Sequence, residues 1–392
     1  NIDRFKLVNE LYGDEEGDRV LRQVHKVIDN ELLSWDEASG RIMADNFGML
    51  LRFHSMKKLE HRLNRLNEQL GHLCDEQGVS YGLRLFFGVY LVTDKEMPVS
   101  AMMERANLAL KKTLQLPQHL KKIGVYDEKE HQKLEREKHL EMRMEQALKN
   151  GEFVPYLQPK YELTHETIAG AEALVRWVSP EEGMIFPGEF IPLFEKNGFI
   201  VELDLYMFEQ VCKMIESWHK NGYRIIPVLV NMSRGHFLVP NFFDRYKEIL
   251  ERYDVPKGSI EIELTESLFL NEISTMTDLV NKIHEVGLRC SIDDFGSGYS
   301  SLNMLKDIKV DALKLDRVFF VKTEEDKRGK DIINSILHLA QNLHLKTISE
   351  GVEIRSQVEY LKEMDCDYIQ GYVFAKPMPV KDFVKIAFAK SV

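Results

Sequence analysis

Cysteine is scarce in this sequence, with four residues in 392 (Cys74, Cys212, Cys290, Cys366) and no CxxC pair. That excludes a disulfide scaffold and suits a reducing cytosol, the expected location of this chain. Long apolar runs are missing as well. None approaches the roughly 20 residues a membrane helix requires, and the most apolar segment, Tyr81–Val92, is short and carries Arg84. No signal peptide opens the chain. Positive charge is in deficit: 52 Lys and Arg stand against 63 Asp and Glu, a net charge of −11. A basic surface that grips long nucleic acid is therefore excluded. A small phosphorylated ligand is not, because divalent cations offset carboxylates at one site. The chain begins at Asn1, already inside a patterned segment and without an initiator Met. It reads as a piece of a longer protein, whose preceding region could hold a sensor or a membrane anchor.

Three stretches differ in pattern. The first, residues 1–126, mixes helix and strand in an α+β order. Helical spacing recurs in Glu16–Asn30, Met56–Leu73 and Val99–Leu114. Arg41–Phe53 reads as a hairpin, and Tyr81–Val92 and Ile123–Tyr126 read as strands. Residues 127–150 are densely charged with apolar positions at helical spacing, and Asn150-Gly151 stops them, so they read as a linker helix. From 151 to 392 the pattern is strand, helix, strand, helix, which implies a parallel sheet with helices packed outside. The length is close to the roughly 250 residues of a (β/α)8 barrel. An open doubly wound sheet is the alternative, but no glycine-rich phosphate loop follows the first strands.

The strands of this second half end in polar residues: Glu172, Asn231, Glu263, Asp293-Asp294, Lys314, Glu350 and Gln370. Successive members from Asn231 onward lie about one βα unit apart. Residues at the C-terminal ends of barrel strands converge on one mouth, where barrel enzymes place their chemistry. Carboxylates gathered in such a place repel one another unless cations share the site. Oxygen ligands without His or Cys suit Mg²⁺ or Mn²⁺ rather than Zn²⁺. Two such ions would activate a water and hold phosphate oxygens. Taken one at a time, each residue has a plainer reading as a helix cap or ion-pair partner. A polar group at every strand end is what favours chemistry.

These residues fall in motifs: YLQP at Tyr156–Pro159, EALVRW at Glu172–Trp177, VNMS at Val230–Ser233, ELTES at Glu263–Ser267, DDFGSGYSSL at Asp293–Leu302, LKLD at Leu313–Asp316, SEGVE at Ser349–Glu353 and QGYVFAKP at Gln370–Pro377. The segment resembles the EAL domain of cyclic-di-GMP phosphodiesterases. The resemblance implies one metal on Glu172, Asn231, Glu263 and Asp293. It implies a second on Asp294 and Glu350, with Asp293 bridging. It also implies Glu350 as general base, Lys314 as holder of the attacking water, and Gln158, Leu174, Arg176, Glu353 and Gln370 as substrate contacts. Glu266 would brace the DDFGSGYSSL loop, which in the family leads to a dimer interface, and the product would be linear pGpG. A catalytically silent receptor for the dinucleotide is the competing reading, and retention of every ligand position argues against it.

The first half resembles a GGDEF (diguanylate cyclase) domain with its metal site damaged. NIDRFKLVNELYGDEEGD at Asn1–Asp18 matches the family's opening, and MADNF at Met43–Phe47 stands where GGDEF belongs. Asn1 and Asn46 replace acids, Met43-Ala44 replace glycines, and Leu114 replaces a phosphate-binding lysine. Cyclase activity is therefore not expected. Asn9 and Asp18, which match guanine-contacting positions, survive, either to bind GTP and tune the second half or for local hydrogen bonding.

Overall fold

Apolar residues three and four apart bring the first helices together in a computed structural model. It describes residues 1–3, 5–74, 78, 80–115, 122–269, 273–295, 302–316 and 327–389. It divides into two units, Asn1–Arg136 and Glu137–Val392. Among the described residues no helix is long and apolar enough to cross a membrane.

In the first unit, α1 (Phe5–Tyr12) and α2 (Asp14–Asn30) are followed by the antiparallel hairpin β1 (Ala38–Met43) and β2 (Asn46–Leu50). Then come α3 (Met56–Gly71), β3 (Phe87–Val89), α4 (Val99–Gln115) and β4 (Ile123–Val125), with β3 and β4 parallel. Val20, Val24 and Ile28 of α2 share a core with Leu66 and Leu70 of α3, the outcome the 3.6-residue period demands. Helix α4 lies close on the short sheet. A Cβ at Gly88 would come 2.0 Å from the Ala106 carbonyl oxygen, and one at Gly124 the same distance from Thr113 Oγ1. Glycine is required at both paired positions.

The strand expected over Tyr81–Val92 is ladder-paired at Phe87–Val89 alone. One edge of its middle is bridged antiparallel by Ile2, and the other edge is satisfied by a side chain. Asn67 Oδ1 accepts from the Leu85 N–H at 2.7 Å, and Asn67 Nδ2 donates to the Leu85 carbonyl at 2.9 Å.

Helix α5 (Glu128–Asn150) contains the division between the units. The second unit opens with β5 (Phe153–Glu162), β6 (Thr167–Ser179), β7 (Gly183–Ile185), α6 (Pro187–Asn197) and α7 (Ile200–Lys220). β8 (Val228–Asn231), a 3₁₀ turn (Arg234–Leu238), α8 (Phe242–Leu250), β9 (Ile260–Thr265), α9 (Glu266–Phe269) and α10 (Ile273–Glu285) follow. The chain continues through β10 (Arg289–Phe295), α11 (Leu302–Asp307), β11 (Ala312–Leu315) and α12 (Lys327–Asn342). It finishes with β12 (Lys346–Ser349), α13 (Arg355–Glu363), β13 (Tyr368–Ile369), β14 (Met378–Pro379) and α14 (Val380–Ala387).

Strands β5, β6 and β8–β13 close into a barrel, each hydrogen-bonded to two neighbours in the ring. From β6 to β13 the ring is parallel, as the βα alternation requires. β5 departs from it and runs antiparallel to both β6 and β13. The physical reason is the connection: Leu163–Glu166 is too short for a crossover helix, so β5 and β6 form a hairpin. Period-two alternation then sorts the strands. Ile260, Ile262 and Leu264 of β9 join the apolar core with Phe208 and Val211 of α7, while Glu261 and Glu263 lie on the other face. Beyond the ring, Phe153, Trp177, Phe190 and Phe194 cluster, with the Phe153 and Trp177 rings 4.9 Å apart. The Trp177 indole donates to Glu152 at 2.8 Å.

In the first unit one carboxylate ties several segments. Glu37 accepts both Arg62 guanidinium nitrogens and the Leu33 and Arg52 N–H groups, each at 2.7–2.8 Å. Its side chain is 1% exposed. The Arg62 hydrogen bonds, against the opposing effect of burial, hold its carboxyl down at about 2, from an ordinary 4.5. A depressed folded pKa means the contribution is complete above pH 4.5 and is lost as pH falls toward 2. Glu37→Gln is expected to destabilise this unit by about 2 kcal/mol at pH 7. In calorimetric melts of the two chains, the gap should narrow below pH 4.5.

Candidate active site

A barrel interior of this width is filled by side chains from opposite strands, and here one of them is a lysine. Lys314, on β11, is 1% exposed. Its Nζ is in direct contact with Glu263 of β9 and with Glu350, the residue after β12. It lies 3.5 Å from Glu172 of β6 and 3.7 Å from Asp293 of β10. Four carboxylates from four strands thus surround one cation. Asn231, the last residue of β8, donates to Glu172 Oε1 at 3.2 Å, and Gln370, after β13, donates to Glu172 Oε2. The strand-end residues therefore do meet. Glu172 itself lies well inside β6, because that strand runs on to pair with β5 and β7. It is nevertheless the last residue of β6 to pair with β8.

The charges are not balanced. Burial raises the Glu263 carboxyl well above its ordinary value against the pull of Lys314, and Asp293, Glu172 and Glu350 push it further. Glu350 rises to about 7, through burial first, with Lys314 opposing and the Glu172 and Asp293 charges adding. Glu172 goes the other way: burial opposes its ionisation, but Lys314 and the Gln370 and Asn231 hydrogen bonds outweigh it. Burial also works against the Lys314 charge, and the surrounding carboxylates raise its pKa well above the usual value regardless.

Asp293 and Asp294 would normally point to opposite faces of a strand. The ladder to β11 slips here: Ile292 pairs with Leu313 and Phe295 with Leu315. The extra residue makes a bulge, with Asp294 at φ +56°. Asp294 rises to about 7, through burial, then the Asp293 charge and a hydrogen bond with Asp316.

The oxygens suit a divalent cation. Glu263 Oε2 is buried without a donor, and Glu263 Oε1, Asp293 Oδ1 and Glu350 Oε1 face the Lys314 ammonium and no other donor. One oxygen from each of Glu263, Asp293 and Glu350 lies within 4.8 Å of the others. An all-oxygen set of this kind fits Mg²⁺ or Mn²⁺.

Beside the ring opens a cleft whose lining includes Gln158, Glu350, Glu353, Gln370 and Tyr372. Gln158 accepts from Gln370 at 3.3 Å and donates to the Ala375 carbonyl at 3.2 Å. Arg176 lies over the Tyr156 ring at 5.6 Å, and burial lowers its pKa. Leu174 pairs with Tyr156 across the β5–β6 hairpin. Glu266 is buried at the start of α9. Residues 296–301 of the loop it was expected to brace lie outside the described residues.

Sequence reading missed a second charged layer. Lys160 and Glu261, both buried, pair at 3.3 Å inside the barrel. A Cβ on Gly170 would come 2.8 Å from Lys160 Cε, so glycine makes room for the lysine. The signal was period two: Lys160 follows Gln158, and Glu261 precedes Glu263, by two residues.

In the first unit, Asn1 Nδ2 donates to Asp45 Oδ2 at 2.9 Å and to Asn46 Oδ1 at 3.1 Å. Ala44 turns the hairpin at φ +52° with Met43 exposed beside it. Asn9 Oδ1 is buried without a partner against Gly17, where a Cβ would come within 1.9 Å of it, and Asp18 is exposed on α2.

Residues 141–377 match the EAL domain, and residues 1–118 match the Diguanylate cyclase, GGDEF domain. Among curated relatives, Cyclic di-GMP phosphodiesterase NbdA of Pseudomonas aeruginosa is 30% identical over 380 residues, 97% of this chain and 48% of that protein. Cyclic di-GMP phosphodiesterase PdeR of Escherichia coli is 30% identical over 389 residues, 98% of this chain and 57% of that protein. This chain thus spans about half the length of these curated relatives. A solved structure described as PaMucR Phosphodiesterase, c-di-GMP complex, is 33% identical with a TM-score of 0.60, covering 62% of this chain and 99% of that one. The barrel, its ring of carboxylates and these matches lead to one conclusion: the chain belongs to the EAL domain family and carries a GGDEF domain ahead of the barrel.

Proposed function

We propose that the barrel hydrolyses cyclic-di-GMP to linear pGpG with divalent cations held by Glu172, Asn231, Glu263, Asp293, Asp294 and Glu350. The observation that carries this reading is the convergence of Glu172, Glu263, Asp293 and Glu350 on Lys314 at the mouth of an EAL barrel. The relatives named as cyclic-di-GMP phosphodiesterases support the substrate. Bound Mg²⁺ or Mn²⁺, two ions at this ligand count, supplies an activated water and charge neutralisation at the phosphate. Glu350, a ring carboxylate in contact with Lys314, takes the proton of the attacking water. Lys314 orients that water and offsets charge on the phosphate oxygens. Water adds to phosphorus, one ester P–O bond breaks, and the ring opens to a single linear dinucleotide. Gln158, Leu174, Arg176, Glu353 and Gln370 hold the substrate along the cleft. Two copies of the chain pair through their EAL barrels.

The first unit is proposed to be catalytically silent. Its ligand positions are occupied by an amide–carboxylate cluster, Asn1 with Asp45 and Asn46, and an amide binds Mg²⁺ more weakly than a carboxylate. Asn9 and Asp18 would let it hold GTP and tune the barrel through α5. The GGDEF domain ends at residue 126, and residues 127–150 link it to the barrel that starts at 151.

Chromatography of cyclic-di-GMP incubated with Mg²⁺ or Mn²⁺ should show pGpG from the native chain. Glu172→Ala should lose at least the ~100-fold that removal of an outer partner of a metal ligand costs. Tight binding of the dinucleotide without turnover in either metal would make this protein a receptor instead. Incubation with GTP and Mg²⁺ should yield no cyclic-di-GMP. Calorimetric titration with GTP should give heat that Asn9→Ala abolishes; no heat, with turnover unchanged by GTP, would remove the regulatory role.

A further inference from the structure

We propose that Asp204 and His236 are positioning residues that fix Asn231 in the metal-holding ring from behind its strand, an inference that rests on the metal-dependent reading above. Asn231 ends β8, and the chain then turns through Met232 and Ser233 into the 3₁₀ turn at Arg234–Leu238. Both peptides after Asn231 are pinned. The Met232 N–H donates to the Glu263 carbonyl at 3.0 Å, which ties the turn to the neighbouring strand. The Ser233 N–H donates to Asp204 Oδ2 at 2.8 Å, which ties it to helix α7.

The same Asp204 oxygen lies 3.1 Å from His236 Nε2. A carboxylate oxygen only accepts, so Nε2 carries the hydrogen. His236 is fully buried, and the Tyr246 hydroxyl of α8 stands 3.1 Å from the same nitrogen. His236 Nδ1 and Ser233 Oγ are buried without partners. The turn is pressed onto the start of α7: a Cβ on Gly235 would lie 3.1–3.2 Å from the Ile200 and Val201 methyls. A carboxylate with an 11% exposed side chain is a costly way to pack a helix, since well-packed apolar groups are often at least as stabilising. Both donors that reach Asp204 Oδ2 belong to the segment just beyond Asn231. Asp204 and His236 therefore act on the direction in which Asn231 leaves the strand and meets Glu172. Metal ligands depend on such outer partners for orientation.

The test uses the whole chain with Mn²⁺ as the probe. Isothermal titration measures Mn²⁺ affinity for the native chain, Asp204→Ala and Asp204→Asn, and thermal melts in EDTA report the fold separately. Asp204→Ala is expected to weaken Mn²⁺ binding by about 10–100-fold. Asp204→Asn, whose amide oxygen still accepts from Ser233, should fall between the two. Native-like Mn²⁺ affinity in a folded Asp204→Ala chain overturns the proposal. If that variant does not fold, Asp204→Asn decides, and affinity within twofold of native overturns it. Native Mn²⁺ binding without hydrolysis of cyclic-di-GMP would defeat the phosphodiesterase reading while the brace is still judged on affinity. A native chain that takes up no Mn²⁺ overturns both.

Discussion

The charge on Lys314, held inside a ring of carboxylates, is the constraint on which the rest of the barrel depends. One buried ammonium cannot neutralise Glu172, Glu263, Asp293 and Glu350 together, and the imbalance appears in the raised Glu263 and Glu350 carboxyls. Buried like charges at these separations demand either protons or cations. The site is accordingly polarised. Glu172 stays ionised because Lys314, Gln370 and Asn231 all serve it, while Glu263 and Glu350 carry the surplus. Bound cations would convert that surplus from a cost into a ligand set.

The fold supplies this arrangement through strand geometry. Parallel strands from β6 to β13 deliver one polar side chain each to the same end of the ring. The bulge at Asp293–Asp294 delivers two from one strand. Below them the Lys160–Glu261 pair adds a compensated layer, and Lys160 also favours the ionised form of Glu172. The outer faces of the same strands are apolar and meet the helices, so function and stability divide along the period of two.

Much of this was legible in the sequence. The spacing of Asn231, Glu263, Asp293, Lys314, Glu350 and Gln370 by about one βα unit is enough to place them at one mouth. The hairpin direction of β5 was not legible, because strand pattern alone does not tell a crossover from a tight return. Lys160 and Glu261 were passed over because a buried ion pair needs both partners, about a hundred residues apart, to be seen together. Asp204 and His236 carry no motif, and their role is visible only in where the turn after Asn231 is anchored. In the first unit, the paired glycines Gly88 and Gly124 marked a close helix approach that composition could not reveal. At Leu85, bridged on one edge by Ile2, the Asn67 side chain serves the other edge where a second strand would pair.

The most direct test of the central claim is the anomalous X-ray signal of crystals of this chain grown with Mn²⁺. The charge imbalance predicts anomalous peaks within the ring formed by Glu263, Asp293 and Glu350, with their oxygens turned from Lys314 toward the ion. An empty ring at saturating Mn²⁺, with the Lys314 ion pairs intact, would contradict it.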